Sequence, residues 1–309
     1  MRKTELLIPA SSLEVLKIAV TFGADAVYLA GQVFGMRAAA DNFTVEELYE
    51  AAAYVHARGK KIYLTVNTII YDEEVAAVEQ LVKELYDAGV DALIVQDMGI
   101  AGMNIPPIPL HASTQMDNRT VEKVKFLSDV GFPRAVLARE LTLEQIKEIH
   151  SAVPETELEV FVHGALCVSY SGQCYASQHC YGRSANRGAC AQFCRLAFDL
   201  VDAEGKVIER DRHLLSLKDM NRSASIEEML DAGVTSLKIE GRLKDESYVK
   251  NITAYYRANL DEIFARRKEY ERASLGKCYP QFTPAPQKSF NRGFTDYMLY
   301  GGKDGMTSY

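Results

Sequence analysis

Thr44-Val-Glu-Glu-Leu-Tyr-Glu-Ala-Ala-Ala-Tyr-Val-His-Ala-Arg-Gly59-Lys-Lys-Ile-Tyr-Leu-Thr-Val66 is the stretch that decides the fold. Thr44 stands three residues before Glu47, the pattern of a capping box in which two side chains satisfy backbone N–H groups at a helix start. Gly59 sits where the helix end needs left-handed dihedrals that only glycine takes without strain. Lys61-Ile-Tyr-Leu-Thr-Val66 then reads as an apolar strand. The same unit recurs. Gly23, Gly89, Gly131 and Gly233 close other helices ahead of Ala26-Val-Tyr-Leu29, Ala92-Leu-Ile-Val95, Ala135-Val-Leu137 and Ser236-Leu-Lys-Ile239. Four more strand candidates are Leu6-Leu-Ile8, Pro109-Leu-His-Ala112, Leu158-Glu-Val-Phe-Val162 and Leu214-Leu-Ser-Leu217, which makes nine for eight places. Thr142-Leu-Glu-Gln145 is a second capping box, and Ser11 or Ser12 caps the first helix. Near-continuous apolar strands alternating with helices suit a parallel α/β sheet, and this many units favour closure into a TIM-barrel-like (β/α)8 fold. A doubly wound open sheet is the alternative.

The rhythm breaks between Gly164 and Arg212, where Cys, Ser, Tyr, Gly and Arg dominate. This segment reads as an insertion over the barrel mouth, with a hairpin pairing Phe198-Asp-Leu-Val-Asp202 with Lys206-Val-Ile208 across Ala203-Glu-Gly205. A long helix follows the last strand, from Tyr248 to about Arg267. The expected organisation is a barrel domain over residues 1–279, carrying the insertion at 164–212, and a covering segment over 280–309.

A chain of 309 residues with 48% hydrophobic residues and 9 prolines can bury a large core, and disorder is not expected. There is no apolar run of membrane-span length and no signal segment, so the expected location is the cytoplasm. The net charge of −7 speaks against a protein coated in nucleic acid. It is unevenly divided: residues 1–160 carry 14 Lys+Arg against 24 Asp+Glu, and residues 161–309 carry 21 against 18. An anionic partner would meet the second half.

Five of the six cysteines fall between Cys167 and Cys194, too local for a disulfide scaffold. Cys167 and Cys174 are separated by six residues, and Cys190 and Cys194 by three, with Cys180 between the pairs. Four thiolates can hold zinc or a cubane cluster. The first spacing is wider than a zinc knuckle and favours an iron-sulfur group, while zinc and free thiols stay open. Hydrolytic signatures are missing: the chain has no His-Glu-x-x-His and no Gly-x-Ser-x-Gly. A Cys167–His163 pair is the one nucleophile candidate.

Chemistry in a barrel sits at the carboxyl ends of its strands. That nominates Asn67, Gln96, His111, Ser113, Gln115, Arg139, Glu140, His163, Lys238, Glu240 and Arg242, with Met36, Arg37 and Asn42 in the loop after the second strand. Lysine and arginine grip carboxylates or phosphates, amides read base edges, and Glu240 can orient a cation or move a proton.

Phe161-Val-His-Gly-Ala-Leu-Cys167-Val-Ser-Tyr-Ser-Gly-Gln-Cys174 closely resembles the signature of peptidase family U32. The likeness extends to Arg187-Gly-Ala-Cys190-Ala-Gln-Phe-Cys194-Arg195, Leu217-Lys-Asp219 and Ser236-Leu-Lys-Ile-Glu-Gly-Arg242, and upstream to Gly23-Ala-Asp-Ala-Val-Tyr28, His111-Ala-Ser-Thr-Gln115 and Leu137-Ala-Arg-Glu-Leu141. Within the family the chain is most similar to the branch that hydroxylates tRNA. The resemblance implies a [4Fe-4S] cluster on Cys167, Cys174, Cys190 and Cys194, with Cys180 and Cys278 outside the set. It implies prephenate-dependent hydroxylation at carbon 5 of the wobble uridine, giving 5-hydroxyuridine. Sister branches act on ribosomal RNA or in ubiquinone hydroxylation, and the family name records an older protease assignment.

On that basis Arg139, His163, Lys238, Glu240 and Arg242 are the catalytic candidates, with Arg139, Lys238 or Arg242 facing the dicarboxylate prephenate. Asn67, His111, Gln115, Arg183, Arg187 and Arg195 are the substrate-binding candidates, the last three for phosphates of the tRNA anticodon loop. Tyr175 or Tyr181 would stack on an unpaired base. Many relatives continue into a β-rich carboxyl-terminal domain, whereas this chain stops at Tyr309, so a second U32-family subunit is a further expected partner. The alternatives are a U32-type collagenase-like protease and a non-catalytic subunit of a hydroxylase complex.

Overall fold

The computed structural model describes residues 1–31, 34–35, 43–302 and 305–308. Met36, Arg37 and Asn42 lie outside the described residues. Seven strands follow one another as parallel neighbours: β1 (Arg2–Pro9), β2 (Ala26–Ala30), β3 (Lys61–Val66), β4 (Ala92–Val95), β5 (Leu110–Ala112), β6 (Arg134–Val136) and β7 (Glu157–Gly164). After the insertion, with its hairpin β8 (Phe198–Val201) and β9 (Val207–Arg212), comes the short β10 (Asp219–Asn221), antiparallel to the end of β7. Strand β11 (Val234–Ile239) then pairs in parallel with both β1 and β7. That double pairing closes an eight-stranded parallel barrel and rules out the open doubly wound sheet. Two further strands lie outside the ring: β12 (Tyr270–Arg272) extends β1, and β13 (Phe294–Thr295) extends β10.

The ninth strand candidate, Leu214–Leu217, is not a strand. Its apolar residues serve elsewhere: Leu217 packs with Val136, Phe161, Leu166, Met220 and Tyr297 in a small cluster beneath the insertion. The eighth place belongs to β11, as its register with Leu6 and Leu7 requires.

Helices α1 (Leu13–Thr21), α2 (Val45–His56), α3 (Val75–Asp87), α4 (Val121–Asp129) and α5 (Leu143–Ala152) connect successive strands; α6 (Ala176–Tyr181) lies in the insertion; α7 (Ile226–Asp231) precedes β11 and α8 (Glu246–Arg266) follows it. Both capping boxes form, at Thr44 with Glu47 and at Thr142 with Gln145, and Ser12 caps α1. Gly23, at φ +118°, is needed twice over, because a Cβ there would meet Arg257 Cγ at 2.4 Å.

Side chains alternate along each strand, so one parity faces the helices and the other fills the barrel. Leu6, Ile8, Val27, Leu29, Ile62 and Leu64 join the large core under the helices. Leu7, Ala26, Tyr28, Tyr63, Ala92 and Ile94 form a separate cluster inside the ring. Charge is also buried there. Arg134 reaches Glu5 at 2.6 Å, Glu157 at 2.6 Å and Glu159 at 3.1 Å, and Lys238 donates to Glu159 at 2.7 Å. Tyr63 and Ser236 donate to Glu5 at 2.6 and 2.9 Å. Burial pushes the Glu5 carboxyl up, but Arg134 and the two hydroxyls outweigh it and leave it below the ordinary value.

Candidate active site beneath the cysteine-rich insertion

The insertion leaves β7 at Gly164, whose φ of +106° and lack of a side chain let it pass 2.6 Å, measured from an imagined Cβ, from the Glu240 carbonyl. It then lies down on the barrel mouth. Glu140 accepts from Ser171 N at 3.0 Å and Ser171 Oγ at 3.1 Å, and Gly172 rests so close to Gln115 that a Cβ would fall 2.1 Å from its carbonyl oxygen. Arg195 donates to Leu217 O at 2.7 Å and to Leu166 O, tying both ends of the insertion together. Arg187 donates to both Glu74 carboxylate oxygens, at 2.6 and 2.9 Å, and to Ile69 O, pinning the insertion to the loop after β3.

Between insertion and barrel lies a cavity of about 390 Å³. Its floor carries Asn67, Gln115, Arg139, Lys238, Glu240 and Arg242 from the expected set, together with Tyr28, Thr65 and Phe161. Cys167, Cys174, Cys190 and Cys194 line its upper part. Arg139 bonds Glu240 at 3.2 Å and lies 4.0 Å over the Phe161 ring. Lys238 Nζ sits 4.5 Å from the centre of Tyr28, and burial lowers its pKa against the pull of Glu159. Arg242 donates to Thr65 Oγ1 at 2.9 Å. Three cations, five aromatic rings and a carboxylate therefore meet four thiols in one enclosure.

Other expected residues stand elsewhere. His163 is buried, 3.3 Å from Tyr256 Oη and packed against Tyr248 and Phe294, and burial pushes its pKa down to about 3. It does not line the cavity, so the Cys167–His163 nucleophile pair is not formed and a general-base role finds no support in its position. His111 is inside the barrel, edge-on to Tyr63 at 4.9 Å, its pKa pushed well down by burial and then by Arg134 and Lys238. Arg187 and Arg195 are committed to the pins described above. Arg183 is exposed and outside the cavity lining, and Tyr175 lines the cavity while Tyr181 does not. Glu240 pairs with Arg139, and Lys238 with Glu159.

Tyr28, Thr65 and Phe161 were not among the expected site residues. Strand parity is the signal that finds them: each shares its face with a neighbour already inside the ring, as Tyr28 does with Ala26.

The four thiols can be tested against the metal group they were expected to hold. They share one cavity; Cys167 feels the charge of Cys174 and Cys190, and Cys194 that of the other three. Cys167 is open to the cavity but enclosed by its walls, and that enclosure raises its pKa, as burial does for Cys194. Among the described residues no three His, Cys, Asp or Glu side chains are arranged around a single ion. Four cysteine side chains lining one cavity are a donor set of the type that a zinc ion or an iron-sulfur cluster would take. Cys180 and Cys278 lie outside this lining.

The family model described as Peptidase family U32 matches residues 11–308. Over 97% of its length the chain is 53% identical to the 23S rRNA 5-hydroxycytidine C2501 synthase of Escherichia coli strain K12, of which it spans 46%. It is 38% identical to tRNA hydroxylation protein P1 of Bacillus subtilis strain 168, over 96% of the chain and 74% of that protein. Among solved structures, the U32 peptidase Mk0906 superposes with a TM-score of 0.52 at 13% identity, covering 78% of this chain and 94% of that one, a likeness of fold. No helix among the described residues is long and apolar enough to cross a membrane.

Proposed function

The chain belongs to peptidase family U32, and on that premise we propose that it is an RNA-modifying enzyme that hydroxylates carbon 5 of a pyrimidine in RNA. The observation that carries this reading is the cavity in which four thiols face Arg139, Lys238 and Arg242 across Tyr28 and Phe161. A pyrimidine ring fits between aromatic faces, its phosphates meet guanidinium and ammonium groups, and oxidation of its C5 position calls for a redox centre. A [4Fe-4S] cluster on Cys167, Cys174, Cys190 and Cys194 supplies one-electron transfer when bound. The chain's own residues do the rest: Phe161 and Tyr28 orient the ring, Glu240 holds Arg139 over it, and Glu159 keeps Lys238 charged and fixed. Prephenate is the co-substrate of this reading, its two carboxylates matched to Lys238 and Arg242.

The substrate reading follows the likeness to the two RNA-named relatives. The 53% identity favours a cytidine of 23S rRNA, and the tRNA wobble uridine is the second reading, supported at 38%. Because the chain spans about half of the rRNA-named relative, the activity of that whole protein is carried over as a proposal only. A peptidase reading has weaker support, since the Cys167–His163 pair it would use is broken by the seating of His163 on Tyr256. The test is deletion of the gene followed by nucleoside mass spectrometry on separated rRNA and tRNA. Loss of 5-hydroxycytidine from rRNA is expected; loss of 5-hydroxyuridine derivatives from tRNA selects the second substrate. Unchanged levels of both overturn the reading.

A further inference from the structure

A second groove, of about 800 Å³, lies on the flank of the molecule between the end of α1, the first turns of α8 and the chain at 277–289. Its lining holds Lys250, Lys277 and Lys288 and no aspartate or glutamate, in a chain where acids outnumber bases 42 to 35. All three lysines are exposed, and no described carboxylate bonds them. Lys250 Nζ is 5.1 Å from the centre of the Phe22 ring and 5.1 Å from that of Phe282, and the two rings meet edge to face at 5.9 Å. Tyr279, also in the lining, is 79% exposed. The wall is a built one. Buried Asn251 donates to Ala285 O at 2.7 Å and Ser289 Oγ at 2.8 Å and accepts from Ala285 N at 2.9 Å, fastening the covering segment to α8.

We propose that this groove is an RNA-contact site separate from the cavity, taking the phosphate backbone of a single-stranded segment on its lysines and stacking an unpaired base on its aromatic rings. The inference rests on the RNA reading above. Cations set around aromatic faces are the chemistry of sequence-tolerant single-strand binding. A free phosphate ion would use the lysines but leave Phe282 and Tyr279 without a role. One residue beyond the groove's edge, Phe290 is 64% exposed, with Lys244 Nζ 4.4 Å and Arg292 Cζ 5.1 Å from its ring centre. Lys244 in turn lies two residues from Arg242, which lines the cavity.

The test uses the full chain and a fluorescein-labelled single-stranded RNA of about 20 nucleotides, with anisotropy read across a potassium chloride series. The variant K250Q/K277Q/K288Q should bind at least about tenfold more weakly at low salt. Its slope of log affinity against log salt should be shallower by about 2, since each phosphate contact on a single strand contributes ~0.7. Phe282→Ala should weaken binding about tenfold with the slope unchanged, the mark of lost stacking. Equal affinity and slope in the triple variant overturn the groove and leave the RNA reading standing. No RNA binding by the unaltered chain overturns both. Displacement of the RNA by inorganic phosphate beyond its effect on ionic strength marks a small-anion site and overturns the RNA assignment of the groove.

Discussion

In the barrel wall, Arg134 divides its guanidinium among three carboxylates, of which only Glu157 reaches solvent. In the insertion, Arg195 spends its guanidinium on backbone carbonyls and Arg187 on a half-buried carboxylate at the edge. The wall is ordered by eight mutually paired strands and a core on both faces. The insertion has the six-residue helix α6 and a hairpin that pairs only with itself. Residues 164–215 also carry nine of the 21 exposed large apolar side chains among the described residues. The barrel therefore stands on its own contacts, whereas the insertion is held down by a few pins.

The largest effect that can break this comparison is on the thiols. Cys190→Ala should abolish iron binding and RNA hydroxylation in an anaerobic preparation, while the denaturation midpoint of the barrel changes little; iron and sulfide analysis with a visible spectrum reads it. A colourless unaltered protein holding one zinc would remove the cluster and leave the fold. Next comes the wall. Arg134→Met leaves buried Glu5 without its cation and Glu159 with Lys238 alone, and should cost about 3–5 kcal/mol in urea denaturation at neutral pH, a loss typical of a buried pair with one partner removed.

His163 sharpens the boundary between the two regions, because it belongs to the wall in spite of its place four residues before Cys167. Its folded pKa, about 3, lies below the ordinary 6.5, so the unfolded chain takes up the proton first. Stability is therefore full above pH ~6.5 and falls as pH drops from there towards 3, by about 2 kcal/mol at pH 5. His163→Phe, with a ring suited to the packing against Tyr256 and Phe294, should remove that contribution to the slope, keep the one from buried His111, and leave hydroxylation in place. The smallest effect is local. Arg195→Ala should raise amide exchange at residues 164–167 and 213–218 by about 10- to 100-fold, as a charge-assisted pin is lost, with global stability lowered by less than about 1 kcal/mol.

Much of the wall was legible because its signals are local: Thr44, Gly59 and Lys61–Val66 sit within one helix-to-strand unit and need nothing from the rest of the chain. Leu214–Leu217 misled for the same reason. Its apolar run looks like a strand, but its burial comes from Phe161 and Tyr297, far away in sequence. In the site, the cysteines and the strand-end cations of β11 were legible by type and place. The partners of Arg187 and Arg195 were not, because Glu74 and the Leu166 carbonyl come near only when the insertion folds back. His163 shows the limit of strand-end reasoning: a polar residue at the right level faces outwards when its parity does, and here it meets α8.

Gly172 sets the headroom of the cavity beneath the insertion. With only a hydrogen where other residues carry carbon, the backbone there comes to rest against the Gln115 carbonyl. The roof of the chamber is hung from that point. A methyl group would act as a shim, tilting the ceiling and with it the spacing between Cys174, two residues on, and the cations of the floor. The depth of the room between insertion and barrel is thus fixed by an atom the chain leaves out.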